Sequence, residues 1–191
     1  MISRIDHVSL AVRDTEYDRA VHFFRDILGA VPGVGFDDEG MRFFWRIYSL
    51  GDLSRIELMK PTGEGSFLDN FLGDRNGGVH HITLETPDIE KAREILDGNG
   101  IPYFGFHDLG AIWKELFIHP KDAFGVLIQI AQFNPDDWVD DSVKLPPGRK
   151  FEVTKNDTGC ILTVAHPGGG TARLKLSRDE MTMLAGELTD G

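Results

Sequence analysis

The stretch Gly78-Val79-His80-His81-Ile82-Thr83-Leu84-Glu85-Thr86 reads as a strand that opens on a metal-type side chain. Thr83 and Glu85 follow His81 on one face while Ile82 and Leu84 take the other, the period-2 alternation of a strand packed on one side. Near the N-terminus, Ile5-Asp6-His7-Val8-Ser9-Leu10-Ala11-Val12 repeats the arrangement, with Ser9 and Ala11 on the face of His7. His7 and His81 stand 74 residues apart. A second echo, Ser54-Arg55-Ile56-Glu57-Leu58 with Val126-Leu127-Ile128-Gln129-Ile130, places Glu57 and Gln129 72 residues apart. Two half-chains, each opening on a His strand and closing on a Glu or Gln strand, point to an internal duplication.

The elements between these strands fit the same order. Asp14 opens a helix whose apolar stripe is Ala20, Phe23, Phe24, Ile27 and Leu28, ended by Gly29. Residues 34–36 suggest a short strand, and residues 41–48 an aromatic one that puts Met41, Phe43, Trp45 and Ile47 on one face and Arg42, Phe44, Arg46 and Tyr48 on the other. The second half repeats with a helix from Asp88 to Gly98 and strands over 101–106, 112–118 and 125–132. The expected class is therefore α+β: paired βαβββ modules, residues 1–61 and 78–133, forming a curved mixed sheet within a domain of residues 1–133.

Beyond Phe133 the composition turns acidic and then to Leu145-Pro146-Pro147-Gly148, which reads as a linker over 134–150. Residues 151–191 read as a small strand-rich appendage with a C-terminal helix, introduced by the capping box Ser177-Arg178-Asp179-Glu180. About 40 residues are too few for an independent core, so this piece is expected to lean on another surface.

The chain is 191 residues long and 41% hydrophobic, an ordinary globular composition. Its net charge of −11 lacks the clustered Lys and Arg of a nucleic-acid surface, leaving a small molecule as the expected partner. One cysteine, Cys160, makes no internal disulfide, and there is no cationic leader and no apolar run of membrane-spanning length, so a cytoplasmic protein without membrane contact is expected.

If the halves pair about a pseudo-twofold axis, His7, Glu57, His81 and Gln129 converge inside the curved sheet. Two imidazoles and a carboxylate suit a divalent first-row metal, with the amide oxygen of Gln129 as a weak fourth ligand. Hydrogen-bonded core histidines are the alternative; the matched offsets favour metal.

From about Arg4 to Gln132 the chain resembles the vicinal oxygen chelate superfamily, and Asp6-His7-Val8, Ile56-Glu57-Leu58, Gly78-Val79-His80-His81 and His119-Pro120-Lys121 look most like its methylmalonyl-CoA epimerases. The resemblance implies a divalent Co, Mn, Zn or Ni ion, a 1,1-proton transfer next to an acyl-CoA or ketone carbonyl through a metal-bound enolate, and a homodimer. It makes His81 rather than His80 the ligand, which would leave His80 on the opposite face, and places Lys121 near the substrate. Two positions depart from the epimerase pattern. Gln129 stands where those enzymes usually carry Glu, with Glu57 at the position often Gln; and the strand of residues 41–48 carries no carboxylate to act as base.

A base is therefore sought elsewhere. Taking Ile112, Leu116 and Ile118 as the helix-packed face turns Trp113, Glu115 and Phe117 into the cavity, where Glu115 beside two aromatics is partly desolvated, as proton abstraction requires. Glu115 is either this base or a salt-bridge partner of Arg42 or Arg46. Arg42, Arg46, Tyr48 and Trp113 join Lys121 as candidates to hold substrate. The competing classes are an Fe(II) dioxygenase or glyoxalase-type lyase of the same fold, and a non-catalytic binding protein of the bleomycin-resistance type.

Overall fold

The computed structural model describes residues 1–189. Its centre is a curled sheet of eight strands: β1 (Arg4–Val12), β2 (Val31–Asp38), β3 (Phe43–Ser49), β4 (Arg55–Pro61), β5 (Gly77–Glu85), β6 (Phe104–Asp108), β7 (Lys114–Ile118) and β8 (Leu127–Gln132). Their order, β2-β3-β4-β1-β5-β8-β7-β6, is the same sequence of roles read outward from the centre in either direction. In each half the first strand runs parallel to the last, with Ser9 opposite Glu57 and Thr83 opposite Gln129. β1 and β5 join the halves antiparallel. The duplication expected from the sequence is thus a pair of βαβββ modules meeting at their His strands.

Each module shields one face of the sheet with a helix. α1 (Asp14–Val21) continues through a π-helical turn over His22–Ile27, and its Tyr17 packs with Ala30, Tyr48 and Leu58. Gly29, at φ 74°, takes the left-handed conformation that ends the segment. α2 (Leu68–Leu72) is a single short turn between the modules. α3 (Ile89–Gly98) is capped by Asp88, whose side chain accepts from the Lys91 backbone N–H, and buries Ile89, Ala92 and Leu96 against Leu116, Ile118 and Ile130. Leu116 is wholly buried there. Leu116→Ala should accordingly cost about 2–5 kcal/mol of stability, lost transfer energy plus the cavity left behind. Urea unfolding followed by circular dichroism would show it as a lowered midpoint at constant slope.

Two bulges interrupt the central β1–β5 pairing. The register steps from Ile5 to His7 on β1 while β5 advances one residue, and from Ser9 to Leu10 while β5 advances two. Asp6 and His80 are the extra residues, and they occupy equivalent places in the two modules. A bulge re-aims the side chain it inserts. His80 consequently lines the same cavity as His81 instead of the opposite face, which corrects the alternation expected from the sequence.

The C-terminal residues build a second, three-stranded antiparallel sheet from β9 (Phe151–Asn156), β10 (Gly159–Ala165) and β11 (Thr171–Ser177), followed by α4 (Arg178–Thr189). Ser177 and Glu180 close the capping box, each backbone N–H bonded to the other's side chain. The unit leans on the eight-stranded sheet. Arg173 pairs with Asp52 at 2.7 Å, and the turn after β10 offers the Pro167 carbonyl to Arg4 and the Gly168 carbonyl to Arg55.

Candidate metal centre and cavity

Three side chains from three strands meet at the floor of the curled sheet. Glu57 Oε2 on β4 lies 4.0 Å from His7 Nε2 and 3.7 Å from His81 Nε2, and one donor atom from each residue falls within 4.8 Å of the others. All three residues are buried. Metal bonds of about 2.1 Å reach donors up to about 4.2 Å apart, so the His–Glu separations fit one ion. The chemistry fits as well. Burial drives the His81 imidazole well below its usual pKa, helped by His7 and His80 and opposed by a hydrogen bond with Gln129. Burial also raises the Glu57 carboxyl, against the pull of His7 and Ser9. A neutral imidazole with its lone pair free and a carboxylate short of solvation are both relieved by a dication.

Around this trio the bulges supply support. His7 Nδ1 donates to Asp6 Oδ2 at 2.7 Å, turning Nε2 toward Glu57. His80 Nδ1 stands 2.8 Å from His81 Nδ1, and burial pushes the His80 pKa down to about 4. Burial alone would raise the Asp6 carboxyl, but His7 and Arg55 outweigh it and hold it low. Arg55 bonds Asp6 on one side and, at 2.7 Å, the Gly168 carbonyl on the other. The appendage turn, Arg55, Asp6 and His7 therefore form one continuous chain of hydrogen bonds. Asp6→Asn keeps the shape and removes the charge; metal affinity should fall by about 10- to 100-fold with the fold retained, read by titration with Mn(II).

Gln129 adjoins the centre without matching its mate. Its Oε1 accepts from Thr83 Oγ1 at 2.5 Å, Thr83 Oγ1 stands 2.9 Å from His7 Nε2, and Gln129 Nε2 donates to Glu115 Oε2 at 2.5 Å. Glu115 also accepts from Trp113 Nε1 at 2.9 Å and pairs with His107 Nδ1 at 3.1 Å. Neither Arg42 nor Arg46 is its partner, so the salt bridge considered above does not form.

Above the floor the sheet encloses a cavity of about 480 Å³. Phe43, Trp45 and Ile47 face it from β3, and Glu115 and Phe117 from β7. Trp113 lines it as expected. Arg42, Arg46, Tyr48 and Lys121 do not. Arg46 and Tyr48 take the outward, helix-packed parity of β3, with Arg46 5.6 Å from the Phe44 ring and Tyr48 buried behind α1. Arg42 sits in the turn before β3 at φ 55° and bonds the Glu64 carbonyl. Lys121 is exposed in a 3₁₀ turn, Pro120–Asp122. Ile112 is a further correction: it precedes β7, 68% exposed, on the cavity mouth instead of the helix side.

Some lining residues escaped the sequence reading. Asp38, two residues after the cavity-lining Phe36 on β2, enters from the edge of the sheet opposite Glu115. Asp38 falls between the strands expected over 34–36 and 41–48, and parity with Phe36 was the available signal. Trp138 comes from the supposed linker: it lies 5.7 Å from Trp45 and 4.8 Å from Trp113, ring to ring, roofing the cavity. The close approach is built in, since a Cβ on Gly33 would lie 2.5 Å from the Trp138 carbonyl oxygen.

Comparison with known proteins agrees with this geometry. Residues 6–114 match the family described as the Glyoxalase/Bleomycin resistance protein/Dioxygenase superfamily. Over 139 residues the chain is 40% identical to the ethylmalonyl-CoA/methylmalonyl-CoA epimerase of Cereibacter sphaeroides, covering 69% of this chain and 99% of that relative. The solved structure of methylmalonyl-CoA epimerase from Mycobacterium tuberculosis matches with a TM-score of 0.62 at 28% identity, over 70% of this chain and 90% of that one. A Streptomyces coelicolor methylmalonyl-CoA epimerase variant in complex with 2-nitronate-propionyl-CoA matches with a TM-score of 0.60 at 26% identity, over 70% of this chain and 99% of that one. The chain belongs to the glyoxalase/bleomycin-resistance/dioxygenase superfamily. Within it, the likeness is to enzymes, the methylmalonyl-CoA epimerases.

Proposed function

We propose that the protein is a metal-dependent epimerase that moves a proton on the carbon next to the carbonyl of an acyl-CoA thioester. The observation that carries this reading is the buried trio of His7, Glu57 and His81 on the floor of a cavity whose wall presents Glu115. His7, Glu57 and His81 would hold the ion, with Gln129 beside them. When bound, such an ion polarises a carbonyl oxygen and stabilises the negative charge that develops there. The Glu115 carboxylate accepts the α-proton, while the bonds that its Oε2 accepts from Gln129 and Trp113 hold it in one frame with the ligands. Inverting a centre requires return of a proton to the other face. Asp38, on the opposite wall, is the carboxyl placed to give it. The apolar walls limit water, which would otherwise compete for the developing charge.

The same reading takes the protein as a cytoplasmic homodimer. Phe23, Ile27 and Leu28, exposed along the α1 segment, supply apolar surface for a partner copy. Among the described residues no helix is long and apolar enough to cross a membrane.

Elemental analysis of protein purified without chelator separates the enzyme from a non-catalytic binding protein. About one Co, Mn, Zn or Ni ion per chain is expected. No stoichiometric ion, with no affinity for added Co(II) or Mn(II), would overturn the reading in favour of ligand sequestration.

A further inference from the structure

We infer that the glycine turn of the C-terminal unit, residues 167–170, sets the metal affinity of the cavity floor through Arg55 as a positioning residue, and that bound metal in return holds the unit in place. The inference rests on the metal centre of the reading above and not on its proton chemistry. It gives a role to a unit that lies outside the paired modules.

Two arginines grip the turn from the eight-stranded sheet. Arg4, opening β1, donates from Nε to Glu85 at 2.8 Å and from Nη2 to the Pro167 carbonyl at 3.0 Å. Arg55, opening β4, donates from Nη2 to Asp6 and, at 2.7 Å, to the next carbonyl, that of Gly168. The grip needs glycine. Gly169 and Gly170 take φ of 80° and 75°, the left-handed region, and a Cβ on Gly168 would lie 2.7 Å from the Arg4 guanidinium. Further bonds fix the turn: the Gly169 N–H donates to the His166 carbonyl and the Gly170 N–H to the Asp136 carboxylate.

Arg55 and Asp6 are both more than nine-tenths buried, so neither trades these partners for water without cost. A guanidinium held on two sides keeps the Asp6 carboxylate in one place, and Asp6 keeps the His7 ring turned so that Nε2 faces Glu57. If the Gly168 carbonyl withdraws, Arg55 loses an anchor, and the freedom it gains passes through Asp6 to the ligand. Little apolar packing opposes that withdrawal. The apolar clusters about the eight-stranded sheet take no residue beyond Ile130, and a cavity of about 400 Å³ opens at the junction, lined by Ser49, Ser54, Thr163 and Thr171 among others. Polar junctions of this kind permit relative motion. With Nε2 bound to a dication, the His7 Nδ1–H becomes a stronger donor to Asp6, so metal favours the intact chain of bonds. By linkage the intact chain favours metal by the same factor.

Full-length protein stripped of metal and titrated with Mn(II) tests one direction. Gly169→Ala puts a Cβ 2.6 Å from the Pro135 carbonyl oxygen and so displaces the turn, while Arg55, Asp6 and His7 all remain. The Mn(II) dissociation constant should rise about fivefold or more. Asp52→Asn, which cuts the exposed pair with Arg173 and not the path through Arg55, should change it less than about twofold. An equal loss in Asp52→Asn would strike Arg55 as the path. Hydrogen–deuterium exchange tests the other direction. Zn(II) should slow exchange of the amides of residues 168–170 in the wild type by about the same factor, and in Arg55→Met at saturating Zn(II) the slowing should vanish, which a purely structural role for Arg55 would not produce. Exchange indifferent to Zn(II) in the wild type would overturn the inference while leaving the metal centre standing, and so would unchanged Mn(II) affinity in Gly169→Ala whose turn amides exchange faster. Should Gly169→Ala fail to fold, the wild-type and Arg55→Met exchange still decides. Wild-type protein that takes up neither ion would remove the metal centre and this inference together.

Discussion

Replacing His81 by alanine should abolish stoichiometric metal and proton-transfer activity together. Only two strong donors, His7 and Glu57, then remain, and each loses an ordering neighbour: His81 Nε2 stands 3.7 Å from Glu57 Oε2, and the two histidine rings are 5.8 Å apart. Loss of a residue that hydrogen-bonds a metal ligand costs about 10- to 100-fold in metal affinity, so deletion of a ligand should exceed that range. The fold has other sources of stability, because the side-chain clusters under α1 and α3 do not include His81. Circular dichroism should therefore match the wild type while metal content falls to background. Full metal occupancy in His81→Ala would show that the site is misassigned.

Glu115→Gln should separate chemistry from binding. The amide preserves the shape of Glu115 and can still meet Trp113 Nε1 and Gln129 Nε2 through its carbonyl oxygen. It cannot take a proton. Turnover of α-proton exchange should drop by about 10²-fold or more, with metal content and substrate affinity near wild type. Asp38→Asn provides the contrast. If protons enter from the opposite wall, that variant should still remove the α-proton from one epimer but invert the centre slowly. Exchange at wild-type rate in Glu115→Gln would leave the reaction class intact and strike this residue from it.

The sequence carried the site further than it carried the cavity. The convergence of His7, Glu57, His81 and Gln129 was legible because duplication makes it one observation made twice, and the equal registers of Ser9–Glu57 and Thr83–Gln129 are the physical form of that repeat. The bulges at Asp6 and His80 were not legible, since a bulge is defined by the partner strand and leaves strict alternation intact on paper. Strand parity holds for residues 43–48, with Met41 and Arg42 in the turn before β3, but both faces carry aromatics. Nothing local told that Phe43 and Trp45 turn inward while Arg46 and Tyr48 pack outward behind α1, which is why the basic candidates fell away. Ile112 misled for a related reason: the alternation of β7 begins only at Lys114, and the residues before it are loop. Trp138 was hidden by its acidic neighbours, whose composition reads as a linker whether or not one ring among them is anchored by tertiary contacts.

The proton-transfer chemistry is tested most directly by incorporation of deuterium from solvent at the α-carbon of acyl-CoA thioesters by the metal-loaded wild-type protein, followed by mass spectrometry and repeated after chelation and after restoration of Mn(II) or Co(II). A single deuteron should enter at that carbon, stop with chelator and return with the ion. Absence of incorporation into every acyl-CoA tried, methylmalonyl-CoA among them, by protein shown to hold its metal, would contradict the proton-transfer chemistry assigned to this site.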